Sequence, residues 1–85
     1  MSSSENVLDS LRKIFTAVLD DPDFVFSREA KLGQSESWDS FAQINLIIEI
    51  ESTFNVEFDS DQISELTSVE LILNALLSKL DDLSE

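Results

Sequence analysis

One pair of residues in this chain is placed where side-chain chemistry could be done: Asp39-Ser40, directly before the longest apolar run, Phe41 to Phe54. A hydroxyl in that place is either a helix cap or a functional group. On local pattern alone it is a cap, because Ser and Asp before an apolar helix accept bonds from its free N–H groups, and Ser40 with Gln43 has the capping-box spacing. Nothing else in the chain is suited to activate the hydroxyl. With no His and no Cys, the usual general base near neutral pH, the nucleophilic triads, disulfides and the common zinc constellations are all missing. An enzyme acting alone is therefore not expected. Asp59, Asp61 and Glu70 do fall at positions 1, 3 and 12 of a calcium-loop template, but Ile63 and Ser64 occupy positions 5 and 6, where a ligand and the turn glycine belong. No metal site is expected, and Asp59 and Asp61 read as acids favoured at the N-terminal end of a short helix.

The elements that must position Ser40 follow from hydrophobic periodicity. Val7, Leu8, Leu11, Ile14, Phe15, Val18 and Leu19 predict a first helix over about 5–19, opened by a Ser2/Glu5 capping box and stopped by Asp20-Asp21-Pro22-Asp23. From 20 to 39 no period is sustained, and so long a connection needs anchors. Phe24, Val25, Phe26, Leu32 and Trp38 supply them, with one helical turn expected near Arg28 to Leu32. A second helix is predicted over about 40–54, ended by Asn55, which tolerates the left-handed conformation. Val56-Glu57-Phe58 alternates too briefly to make a sheet, Ser60 to Glu65 forms a short helix carrying Ile63, and a Thr67/Glu70 capping box opens a last helix running to about 80. The fold class expected is all-α: a small bundle of three longer helices and one short one, with a long first loop.

Composition agrees with that class. Eighty-five residues suffice for one small core, so a single domain spanning 1–85 is expected, ordered over about 5–80 with frayed ends. A chain that is 42% hydrophobic with one Gly and one Pro is too apolar for disorder and too poor in turn residues for a many-stranded sheet. The N-terminus has neither the basic region nor the apolar stretch of a secretion signal and no run approaches a membrane span, so a cytoplasmic monomer is expected. Eighteen acidic residues against five basic ones give a net charge of −13, and no Lys or Arg lies between Lys31 and Lys79. That field repels nucleic acid and suits partners with basic surfaces.

The run Trp38-Asp39-Ser40-Phe41-Ala42-Gln43-Ile44-Asn45-Leu46-Ile47-Ile48-Glu49-Ile50-Glu51-Ser52-Thr53-Phe54 resembles the Asp-Ser-Leu motif of acyl carrier proteins with the helix that follows it. The likeness extends over about 5–80: first helix, long loop, the Phe54-Asn55-Val56-Glu57-Phe58 exit, short helix and the Thr67-Ser68-Val69 start of the last helix come in the family's order. A bare Asp-Ser is nearly worthless as a motif; the whole pattern is specific. The resemblance implies that Ser40 carries 4′-phosphopantetheine by a phosphodiester, with an acyl group held as a thioester on the arm's thiol. It further implies that a phosphopantetheinyl transferase places the arm from coenzyme A, with Asp39 serving as cap and recognition point, and that acyl-loading and acyl-accepting enzymes are the partners. Phe41 stands where the family usually has Leu, and Trp38 where smaller residues are common. Ala42, Asn45 and Ser52 stand where fatty-acid carriers often present acids, which counts against a housekeeping fatty-acid role and points to a dedicated carrier for a ketide, amino-acid or other specialised acyl group. The alternative is an unmodified helical adaptor that keeps the carrier fold and docks through its second helix.

A docking surface is expected on that helix. At about 100° per residue its apolar positions span roughly 220°, about twice what a core-facing helix needs, so part of the arc must be exposed. Glu51 falls on one side of it and a carboxylate is rarely buried without a partner, which assigns Leu46, Ile50 and Phe54 to the core and Phe41, Ile44, Ile48 and Glu51 to the surface. Phe58 and Ile63 are expected to extend it.

Overall fold

The computed structural model describes the backbone of residues 3–83 and the side chains of residues 6–80. Its elements are α1 (Ser3–Leu19), α2 (Ser40–Phe54), α3 (Ser60–Glu65) and α4 (Val69–Leu83), so the fold is all-α as the sequence predicts. The Ser2/Glu5 capping box lies outside the described residues, and of the fraying expected over 81–85 only 84–85 lie outside them: α4 continues past the expected end near 80 to Leu83. Val7, Leu11, Ile14, Phe15 and Leu19 form the buried stripe of α1, which packs against α2 and α4. Ala42, Leu46, Ile47 and Ile50 from α2 and Val69, Ile72, Leu73 and Leu76 from α4 close one core with it. The left-handed residue Asp20 (φ 49°) follows α1, and Pro22 prevents its continuation.

The long loop is anchored by aromatic rings. Phe15 from α1 sits between Phe24 (5.9 Å between centroids, stacked), Phe26 (5.3 Å, edge-on) and Trp38 (4.9 Å, edge-on). Val25 is not an anchor as expected: it is 76% exposed, while its neighbours Phe24 and Phe26 both turn inward onto Phe15. The helical turn expected near Arg28 to Leu32 is also absent. That stretch instead runs beside the start of α4, bridging Lys31 to Ser68, with the Leu32 N–H donating to Thr67 O at 2.8 Å.

The same pairing moves the start of α4. The N–H groups of Val69 and Glu70 donate to the carbonyls of Ala30 and Arg28, and Ser68 Oγ accepts from the Leu71 N–H at 3.1 Å, so the cap is Ser68 and the Thr67/Glu70 box does not form. Glu70 is drawn away by Arg28, whose Nε lies 2.8 Å from its carboxylate. The hydrogen bond from Arg28 holds the Glu70 carboxyl below its ordinary range, and the reciprocal bond raises the guanidinium. The pair's contribution is therefore present above the ordinary carboxylate range and is lost as pH falls through the lowered folded value.

Candidate functional site

Ser40 is the first residue of α2 and is exposed. It is not the cap that local pattern predicts. Asp39 takes that role, in extended conformation (φ −105°, ψ −172°), its Oδ1 accepting from the Ala42 N–H at 2.9 Å while its carbonyl accepts from the Gln43 N–H at 2.9 Å. The capping box fails because Gln43 is turned inward: it is 7% exposed and bonded to Trp38 and Leu66. Ser40 is thereby left with a hydroxyl in no hydrogen bond among the described residues. Asp39→Ala should destabilise the protein by about 1 kcal/mol, the usual value of such a cap, as read from urea midpoints.

Two N–H groups of the first turn, those of Ser40 and Phe41, have no partner among the described residues, since the cap satisfies Ala42 and the first helical bond satisfies Gln43. Free N–H groups at the positive end of a helix suit a phosphate attached at Ser40. The neighbouring Asp39 carboxylate opposes it, with one of its oxygens held in the cap. The residues present therefore fit a phosphodiester on Ser40.

Down the outer face of α2 from Ser40 runs an apolar stripe: Phe41 is 75% exposed, Ile44 58% and Ile48 55%. The loop does not cover them, and Leu46, Ile47 and Ile50 take the core side. Glu51 closes the stripe but is half-buried, its carboxylate accepting from the Phe58 N–H at 2.8 Å and fixing the chain's exit from α2. Phe58 does not extend the surface. Val56 and Phe58 share the inner face of their short extended segment and join the core, Glu57 points out, and the Lys79 ammonium stands 5.9 Å from the centre of the Phe58 ring. Ile63 on α3 is half-buried, packed against the core cluster. Asp59 is the N-cap residue of α3 and Asp61 lies in its first turn, while the Glu70 carboxylate is engaged by Arg28.

Sequence reasoning missed the role of Gln43. A signal was available: Gln43 lies on the same helical stripe as Ile47, Ile50 and Phe54, and a polar residue on a core stripe requires a buried partner. Trp38, with a donor that needs an acceptor when buried, was the partner to look for.

No protein-family model matches the chain, and the curated proteins contain no significant match. Among solved structures it is similar to the solution NMR structure of a holo acyl carrier protein from Geobacter metallireducens, with 31% sequence identity, a TM-score of 0.79, and coverage of 88% of this chain and 86% of that one. No helix among the described residues is long and apolar enough to cross a membrane.

Proposed function

This chain belongs to the acyl carrier protein family, and from that premise we propose that Ser40 bears 4′-phosphopantetheine and that the protein shuttles acyl groups between enzymes of a specialised biosynthetic pathway. The observation that carries the reading is the Ser40 hydroxyl itself, exposed, unbonded and placed at the N-terminus of α2 by a cap that belongs to its neighbour. The structural neighbour is described as a holo protein, which supports the same attachment here.

In the modification step Ser40 Oγ forms a bond to the phosphorus nearest the pantetheine of coenzyme A, and the P–O bond of the pyrophosphate breaks to release adenosine bisphosphate. The hydroxyl proton leaves to a base of the phosphopantetheinyl transferase, since this chain offers neither His nor Cys. Asp39 holds the first turn and gives the transferase an acid to recognise. Once attached, the arm supplies a thiol that holds the acyl group as a thioester, so the protein needs no catalytic group of its own.

The docking surface is the stripe Phe41, Ile44 and Ile48, closed by Glu51, with Ile63 at its margin. The absence of acids at the exposed Asn45 and Ser52 leaves these positions uncharged beside the apolar stripe, and Ala42 is buried in the core, which supports a dedicated set of partners over a housekeeping fatty-acid role. A net charge of −13 favours enzymes whose docking sites are rimmed with Lys and Arg and disfavours nucleic acid. The protein works as a cytoplasmic monomer, residues 1–85 forming one carrier domain. Incubation with coenzyme A and a broad-specificity transferase should add one phosphopantetheine, seen by intact-mass spectrometry. A folded protein that gains no mass with several transferases would instead be an unmodified adaptor with a carrier fold.

A further inference from the structure

On either side of Ser40 lies a buried polar side chain that the capping of α2 does not require. Trp38, two residues before it, is fully buried, and its indole N–H donates to Gln43 Oε1 at 2.7 Å. Gln43, three residues after it, donates from Nε2 to the carbonyl of Leu66 at 2.6 Å. Leu66 is buried and is the C-cap of α3, three residues before the start of α4. A carboxamide in this position must be desolvated, whereas an aliphatic residue on the same stripe would fill the core without that penalty. What the carboxamide adds is direction, because a fully bonded buried polar group permits one arrangement of its neighbours.

The direction it sets is that of the first turn of α2. Trp38 is itself immobilised: its N–H donates to Ser35 O at 3.1 Å and its carbonyl accepts from the N–H of Gly33, a left-handed turn residue (φ 88°), at 2.9 Å. Its ring meets Phe15 and Phe24 edge-on at 4.9 and 6.2 Å. Asp39 and Ser40 therefore span between a fixed indole and a helix whose rotation about its own axis is tied, through Gln43, to the junction of α3 and α4. Rotation of that turn would carry the Ser40 hydroxyl with it.

We infer that Trp38 and Gln43 are positioning residues for Ser40, fixing the direction in which its hydroxyl meets the modifying enzyme. The inference rests on the carrier reading above. Neither side chain belongs to the exposed stripe of Phe41, Ile44 and Ile48, so loss of the relay leaves docking intact and slows the reaction of the docked complex. Gln43→Met keeps length and apolar volume but removes both hydrogen bonds. Trp38→Phe keeps a ring against Phe15 and removes the N–H donor together with the extra volume of the fused ring.

With a transferase and coenzyme A, at a temperature where circular dichroism shows each variant folded, Gln43→Met should lower kcat by about 10-fold while KM for the carrier stays within about twofold, as expected for misplacement of a reacting atom. Trp38→Phe should show a smaller fall in kcat with the same unchanged KM. Amide hydrogen exchange at Ala42 and at residue 43, whose N–H groups are held by the Asp39 carboxylate and carbonyl, should quicken in both, a readout independent of any enzyme. If Gln43→Met does not fold, Trp38→Phe and its amide exchange decide. Wild-type kcat and exchange rates in the folded variants, or an effect confined to KM, overturn the inference while leaving the carrier reading in place. A wild type that gains no mass overturns both.

Discussion

Ser40→Ala should remain as stable as the wild type to within about 0.5 kcal/mol and accept no phosphopantetheine. The two halves of this result rest on different features. Were Ser40 the cap of α2, as its local pattern suggests, its replacement by Ala would cost about 1 kcal/mol. The cap is Asp39, through its bond to the Ala42 N–H, and the Ser40 hydroxyl holds nothing in place. Ala is the better helix former at an exposed first-turn position, which offsets any small loss of solvation. The loss of modification is absolute because the substitution removes the only atom the transfer uses. A mass gain in Ser40→Ala would show that another hydroxyl is the acceptor, with Ser35 and Ser37 the nearest preceding it in the chain. A drop in stability near that of a lost cap would show that the hydroxyl serves the helix after all.

The same contrast explains what was legible in the sequence. The bounds of α2 and α3 agree with their hydrophobic patterns, and Asn55 ends α2 in the left-handed conformation (φ 59°) with its N–H on the Glu51 carbonyl, as its residue type suggests. Both capping boxes that the spacing suggested within the described side chains failed, and for one reason. Gln43 and Glu70 each had a stronger partner far from the local motif: the Leu66 carbonyl, with the Trp38 indole, for the first, and the Arg28 guanidinium for the second. A four-residue pattern describes bonds within one turn and has no information on a side chain arriving from 42 residues away. Val25 and Phe58 are a different kind of error. Both lie in short segments where burial alternates from one residue to the next, so Phe24 with Phe26, and Val56 with Phe58, could have been assigned to one face by period alone. The site itself was legible only in part: the apolar arc of α2 announced its exposed half, whereas the identity of the cap and the relay behind it depended on tertiary contacts.

Ile48→Glu should reduce kcat/KM for acyl loading by the cognate enzyme by about 30-fold or more, the scale of an interface hot spot near 2 kcal/mol, without lowering the melting midpoint. Ile48 is 55% exposed and lies one turn beyond Ile44 and two beyond Phe41 along the face that descends from Ser40. Covering one such side chain on docking gains on the order of 1–2 kcal/mol, and a carboxylate in its place adds the penalty of desolvating a charge. In the free protein the same change is nearly silent. Glu is a good helix former, the position faces water, and the added repulsion with Glu51 at i+3 amounts to a few tenths of a kcal/mol. Ile47→Glu, one residue away, provides the contrast, because Ile47 is 3% exposed and a lone buried carboxylate there should prevent folding. Phe41→Ala should weaken loading in the same sense as Ile48→Glu, since its ring is 75% exposed beside Ser40 and holds no part of the core. These variants can also be separated from those of the relay by their kinetics. Changes on the stripe act on docking and raise KM, whereas Gln43→Met acts on the docked complex and lowers kcat. If Ile48→Glu instead collapsed the melting midpoint, the stripe would belong to the core. If it left loading unchanged in a folded protein, docking would use another face, and the acidic start of α3 at Asp59 and Asp61 would be the next surface to alter.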